Sequence, residues 1–217
     1  MERVLALYAE AYDPARPVVC LDERPCVLRA EARAGLPARP ATDESPGADA
    51  RRDHEYVRAG TACLFCAFEP LAAWRRTWVR ARRRRVEFAE VVRALCDECY
   101  PTAERVRVVC DNLNTHDEAA LYAAFGPAEA RRLAEKVEFV YTPPHGSWLN
   151  MVECEFAVFV RECLGNGKRR IGSVGALDEA AAAWAEERNR AQGTVAWRMT
   201  VDEARVKLGR LYPTREP

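Results

Sequence analysis

An apolar run that stops on an acid constrains this chain more than any other feature. In VRVVCDNLNTH, Val106 to His116, the residues Val106, Val108 and Cys110 share one face and Arg107 and Val109 the other, and the run ends abruptly at Asp111. Asn112, Asn114, Thr115 and His116 follow at once. The pattern predicts a buried strand that hands a carboxylate to a polar loop. Thr115 to Glu118 has the T-x-x-E form of a capping box, so a helix is expected to start there. Strand, acidic tip, polar loop and helix start is how an α/β domain presents a catalytic residue at its strand ends. One aspartate in such a place is more often an ordinary turn residue, and two further acidic sites bear on the choice.

The first lies at Val18–Leu21, a short apolar run ending on Asp22 and Glu23. Adjacent strand residues face opposite ways, so only one of the two acids can point at a shared site, and the parallel with Asp111 favours Asp22. The second is Glu153, in the first turn of a strongly apolar helix expected from Leu149 to about Leu164. Asn150 to Glu153 has capping-box spacing, so Glu153 could simply bond back to the Asn150 backbone. Phe156, Ala157, Val160 and Leu164 fall on the same face, however, which predicts a partly buried carboxylate in need of a cation or metal. Glu155 lies roughly opposite and is the poorer candidate. Hard divalent cations take oxygen ligands, and a pair of them suits phosphodiester chemistry.

Around these sites the periodicity predicts a short helix over Glu2–Ala11 and a loop or extended connection over Gly35–Arg52. Strands at Thr61–Phe68 and Trp74–Arg80 read as an antiparallel hairpin, followed by a helix from Arg85 to Glu98. Helices at Asp117–Phe125 and Pro127–Lys136, a strand at Val137–Tyr141, and helices at Asp178–Arg190 and Thr200–Leu208 complete the chain. Trp74, Trp78 and Trp184 read as core or half-buried residues. At 217 residues one real core is expected, and no apolar stretch is long enough to span a membrane. Glu2, Arg3 and Glu10 do not fit a secretory leader, so a cytoplasmic setting is expected. Cys63 with Cys66 and Cys96 with Cys99 spell C-x2-C twice, but residues three apart on a strand point to opposite faces, which argues against a zinc site. The net charge is zero, so a nucleic-acid partner would need a local patch. Arg82, Arg83, Arg84 and Arg85 are either such a phosphate-binding patch or a solvated face.

The order LDE at Leu21–Glu23, CDNLNTH at Cys110–His116 and YTPPHGSWLNMVE at Tyr141–Glu153 resembles bacterial insertion-sequence transposases of the mariner-like superfamily, over about Val18 to Leu211. The resemblance implies an RNase H-like (retroviral-integrase-like) mixed sheet flanked by helices, with residues 16–212 as the catalytic domain behind a lead-in helix over 1–15. It implies an Asp-Asp-Glu triad at Asp22, Asp111 and Glu153, holding Mg2+ or Mn2+, two ions in all. The activity implied is cleavage of double-stranded DNA at element ends and joining of the 3′-hydroxyl to target DNA. A homodimeric synaptic complex and a nucleoid-associated bacterial setting go with it. The Asp111–Glu153 spacing is longer than is common in that superfamily, and the two helices between Asp117 and Lys136 accommodate the excess. Family members carry helix-turn-helix segments ahead of the triad. With the first Asp at residue 22, the chain reads as a catalytic domain alone, from a truncated element or one half of a split reading frame with a separately encoded helix-turn-helix half. Asn112, Asn114 and His116 could position a phosphate or water or satisfy the loop, and Asn150 is an accessory candidate. His145 and Trp148 could contact DNA, while Pro143, Pro144 and Gly146 shape the turn before Glu153. The alternatives are an RNase H-like nuclease without strand transfer and a non-catalytic DNA-binding remnant.

Overall fold

A strand that is apolar on both faces belongs inside a sheet, and TACLFCAF lies there. The computed structural model describes residues 1–42, 45–195 and 197–212. In it β1 (Val18–Glu31), β2 (Tyr56–Glu69) and β3 (Trp74–Arg80) form an antiparallel meander. β4 (Val106–Cys110) and β5 (Val137–Tyr141) extend the sheet in parallel from β1, giving the order β3-β2-β1-β4-β5. Seven α-helices flank it among the described residues: α1 (Glu2–Tyr8), α2 (Arg85–Ala94), α3 (Glu118–Ala124), α4 (Pro127–Lys136), α5 (Val152–Glu162), α6 (Val174–Arg190) and α7 (Val201–Lys207). This is the α/β mixed sheet flanked by helices that the resemblance implied.

The pleat of β2 divides the core in two. Ala62, Leu64, Cys66 and Phe68 join the layer under α1, α5, α6 and α7, whereas Cys63, Phe65 and Ala67 join the layer under α2, α3 and α4. Burying each phenylalanine or leucine contributes about 1.5–3 kcal/mol. The same alternation separates Cys63 from Cys66, so the paired C-x2-C spacing does not gather thiols, and all nine cysteines are free. Trp78 and Trp184 are buried and Trp74 is partly so. None of the described helices is long and apolar enough to cross a membrane.

Several boundaries differ from the sequence reading, each for a physical reason. β1 does not stop at Leu21: β2 keeps pairing through Asp22↔Cys66 and on to Glu31↔Tyr56. What stops is the parallel pairing with β4, whose last rung is Cys20↔Val109. Pro25, which has no N–H, therefore sits where the other edge of β1 is unpaired. Within Gly35–Arg52 isolated antiparallel bridges Leu36↔Arg51, Arg39↔Ala48 and Thr42↔Ser45 fold the segment back on itself; Asp43 and Glu44 lie outside the described residues. The helix expected to Glu98 changes to a π-helical turn over Leu95–Cys99. The capping box at Thr115 does not form, because the Asp117 carboxylate caps α3 instead by accepting from Ala120 N at 3.0 Å. Ser173 likewise caps α6, which starts at Val174, four residues ahead of Asp178. The Thr200–Glu203 capping box does form.

Candidate active site

Asp22 is placed where β4 leaves β1, on the face that carries α5. It is 9% exposed. Its Oδ1 accepts from Glu23 N at 2.7 Å, and Asn150 Nδ2 reaches Oδ2 at 3.4 Å while donating to Leu21 O at 3.0 Å. Asn150 Oδ1 in turn accepts from Val152 N at 3.4 Å. This fully buried amide ties the acidic strand to the start of α5, and Tyr8 braces the same turn by donating to Leu149 O at 2.8 Å. The turn needs Gly146, since a Cβ there would sit 2.6 Å from the Pro143 side chain.

Asp111 follows β4 and is half-buried. Its Oδ1 lies 2.6 Å from His116 Nδ1, and the other ring nitrogen lies 3.0 Å from Glu23 Oε2. Arg83 continues the chain, 3.5 Å from Glu23 Oε1. The His116 ring is buried and stacks on Phe88 with centroids 4.4 Å apart, and its carbonyl accepts from Tyr141 Oη at 2.8 Å. An imidazolium donates from both nitrogens, which is what two facing carboxylates require. Adjacent strand residues face opposite ways, so Glu23 does not share the face of Asp22. The other face leads to His116, and a carboxylate following Val19 and Leu21 on that buried face was the available signal.

Glu153 is not on the buried stripe of α5, where the apolar spacing predicts it. The buried face of α5 is Val152, Glu155, Phe156 and Phe159, so Glu153 is exposed and Glu155, the discounted neighbour, is the buried acid. Glu153 does not form the capping box with Asn150 either; only its backbone N–H bonds to Asn150 O, at 3.1 Å. The charge of its carboxylate is nonetheless felt at Asp22.

The arginine run is partly engaged. Arg84 pairs with Glu87 at 2.8 Å and closes a capping box on α2, and Arg85 donates to Asn114 O at 2.7 Å. Arg82 makes no ion pair among the described residues. Arg83, Arg84 and Arg85 line a shallow groove with Asn114 and Thr115. Asn112, Asn114 and His145 are exposed. Trp148 is 41% exposed and stacks on Trp197 at 6.1 Å.

Burial raises the Asp22 carboxyl to about 7, aided by the charges of Glu23, Asp111 and Glu153 and opposed by the Glu23 N–H. Burial alone would lower the His116 imidazolium, but its bonds to Asp111 and Glu23 outweigh that and raise it to about 9. Both groups bind a proton more tightly in the folded state than their ordinary values of about 3.9 and 6.5 allow. Asp22 therefore removes stability as pH rises from about 4 to 7, and the His116 contribution is lost as pH rises from about 6.5 to 9. Chelator-treated protein is expected to be more stable at pH 5 than at pH 9, by about 3 kcal/mol from Asp22 alone. Denaturant melts of wild type and Asp22→Asn check this: the variant should lose the fall between pH 4 and 7, and parallel profiles would contradict it.

Carboxylate oxygens are hard donors, and a buried acid among three others is where a divalent cation relieves the most repulsion. The donor set fits such an ion in chemistry. Among the described residues, however, no three His, Cys, Asp or Glu side chains lie close enough together to chelate one as they stand.

A five-stranded mixed sheet between helical layers, with acids where parallel strands diverge and at a helix start, defines an RNase H-like domain. Residues 17–178, about three quarters of the chain, match the family described as DDE superfamily endonuclease, and the chain belongs to it. The family is one of nucleic-acid-cleaving enzymes. No curated protein matches the chain.

Proposed function

We propose that this chain is the catalytic domain of a DNA transposase of the mariner-like, insertion-sequence type, cutting strands at element ends and joining the freed 3′-hydroxyl to target DNA. The observation that carries the proposal is Asp22, buried in the Asn150 clasp and sensing Asp111 and Glu153, within a DDE endonuclease family. Asp22, Asp111 and Glu153 would hold Mg2+ or Mn2+. A pair of such ions held there would supply activation of the attacking oxygen and charge neutralisation at the leaving one. Asn150 keeps Asp22 in place, and His116 fixes one oxygen of Asp111 while the other stays available. The groove lined by Arg83, Arg84 and Arg85, with Arg82 next to them in the chain, would track phosphates, and the exposed face of Trp148 would take a base. Double-stranded DNA is the partner, two ends being joined in a homodimeric synaptic assembly.

The family description favours a second reading, hydrolysis without joining. Incubation with supercoiled plasmid, a labelled duplex ending in a 3′-hydroxyl, and Mn2+ separates the two. Label joined to plasmid is the expected result. Nicked plasmid without joined label favours the nuclease, and DNA binding without nicks leaves only a binding remnant.

A further inference from the structure

Among the described residues one arginine has a fully buried side chain, and its bonds lead to the helix that carries Glu153. Arg75, on the edge strand β3, is 1% exposed. Its Nε lies 3.0 Å from Glu155 Oε2, an ion pair without hydrogen-bond alignment. Its Nη2 reaches Glu155 Oε1 at 3.4 Å and donates to Gly193 O at 2.9 Å. Its Nη1 reaches Asn189 Oδ1 at 3.2 Å, and the Asn189 side chain closes a second pair of bonds on the Arg75 backbone, each 2.9 Å long. Arg188 brings another guanidinium to Glu155 Oε1 at 3.2 Å. One buried carboxylate thus joins α5 to β3 and to the end of α6.

Val152, Phe156 and Phe159 press α5 onto the sheet, but apolar contact is non-directional and tolerates several rotations of a helix. Hydrogen bonds from two guanidiniums onto one buried carboxylate oxygen do not, because they are directional. Glu153 precedes Glu155 by two residues, about 200° around the helix, so it swings with any rotation of α5 about its axis. A turn of about 20° carries a carboxylate roughly 5–6 Å from that axis through about 2 Å. A misplacement of about 1 Å can cost about 100-fold in rate. Buried ion pairs, moreover, are often no more stabilising than apolar groups of the same volume, so stability alone does not account for this one.

We propose that the Arg75–Glu155–Arg188 network is a positioning device that sets the rotation of α5 and thereby aims Glu153 at Asp22. The inference rests on the reading of Asp22, Asp111 and Glu153 as the metal-holding set. Its test is a triple variant, Arg75→Met with Glu155→Met and Arg188→Met, in the full chain, measured for melting temperature, for Mn2+ binding by electron paramagnetic resonance, and for Mn2+-dependent plasmid nicking. A melting temperature at or above wild type with Mn2+ binding at least about tenfold weaker is expected. Nicking should fall in kcat with KM for DNA unchanged. Wild-type Mn2+ affinity and kcat in a folded triple variant would overturn the proposal. Should that variant fail to fold, Arg188→Gln, at the partly exposed edge of the network, supplies the same comparison. A several-fold loss of Mn2+ affinity supports positioning, and no change overturns it. Asp111→Asn is the control: if it binds Mn2+ like wild type, the metal-site reading itself fails, and the inference with it.

Discussion

Asp111→Asn is expected to lower Mn2+-dependent strand cleavage by at least about 10³-fold, equivalent to about 4 kcal/mol of barrier. Asparagine keeps an oxygen that can accept from His116 Nδ1, so the 2.6 Å contact survives. It removes the charge that would meet a cation. Fold and function therefore separate cleanly at this position. A gel assay of plasmid nicking, run beside a thermal melt, should show lost cleavage with a melting temperature within a few degrees of wild type. Cleavage at the wild-type rate would remove Asp111 from the catalytic set. A large drop in melting temperature would mean that the Asp111–His116–Glu23 chain is chiefly structural.

Arg75→Met acts on the opposite balance. It leaves Glu155, 1% exposed, with Arg188 as its remaining cation. Breaking a buried pair by removing one partner costs about 3–5 kcal/mol, and the surviving Arg188 places this case near the lower end. For a chain of this size each kcal/mol moves the melting temperature by about 2–4 °C, so a fall of roughly 6–12 °C is expected. Adding Glu155→Met should recover most of it, because no unpaired carboxylate then remains. Urea unfolding of the single and double variants checks this, and equal stability of wild type and Arg75→Met would show that the network carries no buried charge worth compensating.

The different outcomes of sequence reading at these two places have physical causes. Asp111 was legible because an abrupt passage from buried strand to polar loop is a local signal. The hairpin of β2 and β3 was legible for the same reason, since period and turn lie within a few residues of each other. The continuation of β1 past Leu21 was not, because Glu23, Arg24 and Pro25 break the apolar pattern while β2 supplies the pairing from 25 to 44 positions away. On α5 two stripes fit the helical period, one through Glu153 and one through Glu155. The choice depends on Arg75 and Arg188, which lie 80 and 33 residues from Glu155 and have no trace in the local pattern. His116 was visible only as one polar loop residue among several, because its partner Glu23 comes from another strand.

The most direct measurement is anomalous diffraction from crystals of the full chain grown with Mn2+. A peak within about 2.1 Å of carboxylate oxygens of both Asp22 and Asp111, with Glu153 turned toward it, is the expected result. An absence of ordered Mn2+ between Asp22 and Asp111 at saturating concentration, with Asp111 still closed on His116, would contradict it.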